Sequence, residues 1–212
     1  RRFRDALAEL AETAHADVIG ACRPIAGLQH QRERANTWLK ERLGVPGETD
    51  DRLLCNGAAH GLMLAIATVV QHGDIVLTET LTDHGLIALA RTLGFQLHGV
   101  AIDEQGVIPE ALEAAIVKFR PRAVCLTPTQ LNPTGATMEN ARRDAVAEIL
   151  QRHDVWLIED DVHALLEPAG LKSLTARLPQ QSFHVTSLTK STVPGLRAGY
   201  LTVPRGQMHH TL

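Results

Sequence analysis

From residue 51 onward the chain alternates short continuous apolar runs with longer amphipathic stretches, and this order constrains the fold more than any other feature. Strands are predicted at 52–55, 74–79, 96–102, 123–127, 155–159, 183–187 and 199–203. Helices are predicted between them at 58–72, 84–93, 109–119 and 139–153. Apolar strands without a polar alternation are buried on both faces, and helical crossovers supply the cover. The expected class is α/β: a three-layer α/β/α architecture around a mostly parallel central sheet. In such sheets ligands bind outside the carboxyl ends of the strands, so the residues just after each strand are the ones to inspect.

Two helical stretches precede this pattern. Residues 1–14 carry Phe3, Leu7 and Leu10 at helical spacing, and 29–43 repeat the pattern around Trp38 and Leu39 before Gly44 and Pro46. The division expected is an N-terminal helical segment at 1–44, a main domain at 45–206 and the start of a cut C-terminal segment at 207–212. The basic start, Arg1, Arg2 and Arg4, reads as a solvated helix end rather than a nucleic-acid contact. A formal net charge of −3 argues against non-specific nucleic-acid binding, so an anionic ligand must be held by a local site. Aromatic residues make up 3% of the chain, which leaves the core to Leu, Val, Ile and Ala. Cys22, Cys55 and Cys125 are scattered and read as reduced thiols of a cytoplasmic protein. No apolar run approaches a membrane span, and the histidines lack the spacing of a metal site.

Four of the strand ends carry residues suited to chemistry. After the first strand, Asn56-Gly57-Ala58-Ala59 opens a helix whose free amides and positive dipole end suit a phosphate, although such turns are often plain connections. The segment from Thr127 to Gly135 holds Asn132-Pro133-Thr134-Gly135 in a loop stiffened by Pro128 and Pro133. Glu159-Asp160-Asp161 crowds three carboxylates at a buried strand end, which calls for a cation or a protonated nitrogen; capping by Asp161 is the alternative. Ser187-Leu188-Thr189-Lys190, followed by Gly195-Leu196-Arg197, offers an amine nucleophile and an anion clamp.

Together these four sites resemble the large domain of fold-type-I pyridoxal-phosphate enzymes, the aspartate aminotransferase superfamily. More narrowly they are similar to the aminotransferase-type domain of MocR regulators of the GntR family. The resemblance runs from about Gly57 to Pro204. It implies pyridoxal 5′-phosphate as cofactor, with Lys190 forming the internal aldimine and Asp160 pairing with the protonated pyridine nitrogen. It implies Asn132 at the ring 3-oxygen, Arg197 and Ser187 on the phosphate with Thr189 a further candidate, and backbone amides from Gly57, Ala58 and Ala59. It also implies a homodimer, an amino acid or amine as ligand, and no membrane contact. DNA binding would come only through a winged helix that this chain lacks.

Several positions depart from the family pattern. Asp83, with His84 beside it, stands where an aromatic usually covers the pyridine ring. His163 stands where a Tyr usually bonds the ring oxygen, and it is expected to donate in its place. Cys22 falls where a Tyr reaches the partner subunit, and Ala58 and Ala59 replace the usual polar side chains of the phosphate turn. The chain is expected to be a fragment, lacking the small C-terminal domain that grips a substrate carboxylate. Three readings follow: a transaminase acting on an amino acid and a keto acid, an effector-sensing domain of a transcription regulator with little turnover, or a remnant that binds nothing well.

Overall fold

The computed structural model describes residues 2–13, 24–167 and 170–212. Its order begins with α1 (Arg2–Thr13) and α2 (Gln29–Leu43), followed by β1 (Arg52–Asn56), α3 (Ala58–Val69), β2 (Ile75–Glu79) and α4 (His84–Leu93). Next come β3 (Gln96–Val100), the small strands β4 (Ile102–Asp103) and β5 (Gly106–Val107), α5 (Pro109–Phe119), β6 (Ala123–Leu126) and α6 (Asn140–Arg152). The chain closes with β7 (Trp156–Asp160), β8 (Ser182–Ser187), β9 (Ala198–Thr202) and α7 (Met208–Thr211).

Seven strands form one sheet in the order β1-β9-β8-β7-β6-β2-β3. The run from β8 through β7, β6 and β2 to β3 is parallel. β9 runs antiparallel to both neighbours, β1 and β8. The sheet is therefore mostly parallel, as the alternating pattern predicts. The predicted strand over 96–102 breaks after Val100, because a two-strand hairpin joins Ile102 to Val107 and Asp103 to Gly106.

Local signals set the helix limits. Pro109 occupies the first turn of α5, where its missing N–H costs nothing. Asp83 caps α4 through its own side chain, which accepts from the Gly85 amide. α2 stops at Gly44, whose φ of 63° lets its N–H close back on the Leu39 and Lys40 carbonyls. The predicted helix over 58–72 ends earlier, at Val69, and Val70 is extended.

Two apolar layers sandwich the sheet. One gathers Leu62, Ala65 and Ile66 of α3 and Leu86 of α4 on Ile158, Phe183 and Val185. The other gathers Leu112 and Ile116 of α5 and Val146 and Leu150 of α6 on Leu77, Val124 and Leu157. A smaller cluster seats α2 through Leu39, Leu43 and Val45, with Trp38 against Tyr200. Phe183 and Leu157 are fully buried, so truncating either to Ala would cost about 3–5 kcal/mol. On α1, Phe3, Leu7 and Leu10 are exposed. No described helix is long and apolar enough to cross a membrane.

Candidate functional site

The carboxyl ends of β1, β7 and β8 open on one side of the sheet, and the turns after them meet there. Gly57 adopts φ 77°, a conformation that favours glycine, and starts α3. A Cβ on Gly57 would lie 2.7 Å from the Arg197 guanidinium, so a larger residue would displace that group. Below it, a Cβ on Gly199 of β9 would lie 2.6 Å from the Gly57 carbonyl carbon. The backbone turn, the strand beneath and the guanidinium above are thus packed in direct contact. A positive side chain and the free amides of a helix start are placed together, the two components of an anion site.

Beside this cradle lies a cavity of about 210 Å³, lined by Ala58, Ala59, Asp83, Asp160, Ser187, Thr189, Lys190 and Arg197 together with apolar Leu62, Leu89 and Val162. A dry cavity of about 150 Å³ accommodates benzene, so this one has the size for a substituted aromatic ring. Nine of the predicted positions are therefore gathered here, counting Gly57 under Arg197. Two polar atoms in the lining are buried without a hydrogen-bond partner, Asp160 Oδ1 and Thr189 Oγ1. Burial, then the charges of Asp83 and Asp161, push the Asp160 carboxyl up to about 7. A buried carboxylate with an unused oxygen calls for a positive partner.

Asn132 and His163 lie outside that lining. Asn132 is exposed on the loop after β6, whose Asn132–Pro133 peptide bond is cis. His163 turns its Nδ1 to the Gln130 carbonyl at 3.0 Å, so that N–H is already used and the expected donation to a ring oxygen is not made from it. Val162, one residue earlier, faces the cavity instead. Cys22 lies outside the described residues.

Sequence reasoning missed Glu79. This residue ends β2, is 1% exposed, and accepts from the Thr127 amide at 2.7 Å and from the Thr78 hydroxyl at 3.1 Å. Burial pushes it up to about 7. The strand-end rule that picked out Asp160 applies equally to Glu79, but a single Glu among threonines carried no motif. Asp161, expected as a helix cap or ligand group, is buried and shares its Oδ2 with His184 Nε2 at 3.1 Å.

The sequence profile of the class I and II aminotransferases matches residues 2–210. The chain belongs to that family. It is 32% identical over 180 residues to the HTH-type transcriptional regulator YdeF of Bacillus subtilis, covering 85% of this chain and 39% of the relative. It is 32% identical over 171 residues to the aminotransferase swnA of Metarhizium robertsii, covering 74% of this chain and 34% of that enzyme. The vitamin B6 salvage pathway transcriptional repressor PtsJ of Salmonella typhimurium matches at 32% over 164 residues, 77% of this chain and 37% of the repressor. Among solved structures, an archaeal alanine:glyoxylate aminotransferase superposes with a TM-score of 0.89 at 24% identity, over 96% of this chain and 52% of that one. The fold is that of the aspartate aminotransferases. The chain spans well under half the length of these curated relatives. Membership of the family indicates pyridoxal 5′-phosphate as the cofactor. The unpartnered Asp160 and Thr189 atoms and the Gly57–Arg197 cradle fit a flat ring with a basic nitrogen and a phosphate.

Proposed function

We propose that this chain holds pyridoxal phosphate in the Lys190 cavity and transfers amino groups there between an amino acid and a keto acid. The observation that carries this reading is the convergence on one cavity of an amine, an unpartnered carboxylate and a guanidinium, from Lys190, Asp160 and Arg197. When bound, the cofactor supplies an electron sink for bonds to the substrate Cα. Arg197, the amides of Gly57, Ala58 and Ala59, and the hydroxyls of Ser187 and Thr189 bind its phosphate. Asp160 would set its negative charge beside a protonated ring nitrogen, a partner that would favour the ionised carboxylate over the value of about 7 that burial gives it. Lys190 would place its amine beside the carbonyl group of the bound cofactor and would hold and move a proton on Nζ. Leu62, Leu89 and Val162 keep water from the ring, and Asn132, exposed on its loop outside that lining, is assigned to the ring oxygen by its place in the family motif.

A second reading has support of its own. YdeF and YjiR of Escherichia coli are HTH-type transcriptional regulators by name and PtsJ is a transcriptional repressor by name, and Asp83 offers a carboxylate where the family pattern places a ring. In that reading the same residues hold the cofactor as an effector sensor with little turnover, and DNA contact belongs to a segment outside this chain. Either way the working unit is a homodimer. Titration with pyridoxal phosphate, followed by absorbance in the wild type and in Lys190→Ala, tests the shared claim. A Lys190-dependent band with amino-acid turnover establishes the transaminase. The band without turnover establishes the sensor. No band at all removes both.

A further inference from the structure

Gln130 sits in the left-handed region at φ 49°, a conformation that non-glycine residues enter at a cost. Three tethers hold it there. Its amide donates to Thr137 Oγ1 at 3.0 Å, its side-chain Nε2 donates to Glu167 Oε1 at 2.8 Å, and its carbonyl lies 3.0 Å from His163 Nδ1. A carbonyl can only accept, so Nδ1 carries the hydrogen and the tautomer of His163 is fixed. From this anchor the chain makes a closed loop: Leu131 N–H reaches the Ala136 carbonyl at 2.8 Å, and Gly135 N–H reaches the Leu131 carbonyl at 2.7 Å. Asn132 rides on that loop, exposed. Between β6 and this loop, Thr127 is held by Glu79, and Pro128 and Thr129 by Arg143, so Gln130 is where the chain turns away from that fixed path into the Asn132 loop.

We propose that His163 is a positioning residue: by holding the Gln130 carbonyl it fixes the left-handed turn that aims Asn132 at the cofactor ring. This inference rests on the reading of Asn132 given above. It gives His163 a task that the ring-oxygen role does not explain, since the N–H is spent on the loop. Burial and then the neighbouring Lys190 charge hold the imidazole below its ordinary value, which favours the neutral ring, whose single N–H is committed to Gln130. Asp161 and Asp83 are the acidic groups that face it.

The test measures pyridoxal phosphate affinity and the absorbance spectrum of the bound form. His163→Ala is expected to weaken binding about tenfold, the worth of one well-placed hydrogen bond, and to shift the spectrum as Asn132→Ala does. His163→Asn, whose Nδ2 sits where the ring Nδ1 was, retains a donor and restores both readouts. In an Asn132→Ala background, His163→Ala adds no further loss. Loss in His163→Ala that is additive with Asn132→Ala, or not restored in His163→Asn, overturns the proposal. If Asn132→Ala itself leaves affinity and spectrum unchanged while the Lys190-dependent band persists, the assigned role of Asn132 fails and the inference with it. If Asn132→Ala acts and His163→Ala does not, only the inference fails.

Discussion

Neighbouring residues at the end of β7 face opposite sides of the sheet and meet opposite treatment. Glu159 is fully buried, and the chain surrounds it with donors: the Leu174 amide at 2.8 Å, the Thr175 amide at 2.8 Å and the Thr175 hydroxyl at 2.6 Å. The Arg143 guanidinium stands 3.9 Å away, itself committed to the Met138 and Pro128 carbonyls. Asp160 has Oδ1 buried with no partner and a carboxyl pushed up to about 7. The first carboxylate ties the loop before β8 to the sheet. The second is left for something the chain does not provide. Asp161 refines the contrast: it too has an unpartnered oxygen, but its other oxygen is held by His184 and it does not line the Lys190 cavity. A bare carboxylate points to a ligand only where the space beside it can hold one.

The contrast can be broken at either residue. Glu159→Ala should have the largest effect, about 3–5 kcal/mol of stability lost, because Arg143 is left buried without its counter-charge. Urea unfolding measures this, and the fraction that stays folded should bind pyridoxal phosphate within a few-fold of wild type. A variant that loses binding but not stability would erase the distinction between the two carboxylates.

The next effect is pH dependence of the protein without cofactor. Asp160 and Glu79 both have folded values near 7, against about 4 in the unfolded chain. The folded state then binds more protons than the unfolded state between those limits, so stability falls as pH rises from about 4 to about 7. A drop of roughly 3 kcal/mol is expected over that range, less than full linkage for two groups because side chains and water relax around a charged site. Asp103 and Glu113, held low by Arg142 and His153, act in the opposite sense and only at lower pH. A stability curve that is flat or rising from pH 4 to 7 would contradict the burial of these two carboxyls.

Asp160→Asn sharpens the comparison from the other side. It should weaken pyridoxal phosphate binding about 100-fold, within the worth of a close charge pair, while raising the stability of the cofactor-free protein at pH 8. Calorimetric titration and thermal unfolding read the two changes, and their opposite signs are the point of the experiment. The smallest effect belongs to Asp83→Tyr, which adds a ring where the family pattern places one. Affinity should tighten a few-fold, in line with an aromatic pair worth about 1 kcal/mol. The same variant loses the side-chain cap on Gly85, so its melting temperature should fall slightly.

How far the site could be read in advance depended on the residue. Lys190, Asp160 and the Gly57 turn lie at carboxyl ends of strands of one sense, which open on the same side, so their meeting was foreseeable; Arg197 stands just before β9 and joins them because that strand is reversed. Which of Val162 and His163 faces the cavity was not foreseeable. β7 stops at Asp160, the period of two stops with it, and the following turn decides the direction of each side chain. The role of Arg143 was equally hidden, because a basic residue on a helix reads as solvent-facing until the loop carbonyls around it are in place.

The order of elements, the three-layer class and the set of chemically capable residues were fixed by local information, since periodicity, capping and turn residues act over a few positions of chain. The sheet order, the reversed β9 and the donors around Glu159 required the packed molecule. Those contacts join residues far apart in sequence, and no short window contains both partners. The same holds for the unpartnered oxygen of Asp160, which is defined by what surrounds it in space.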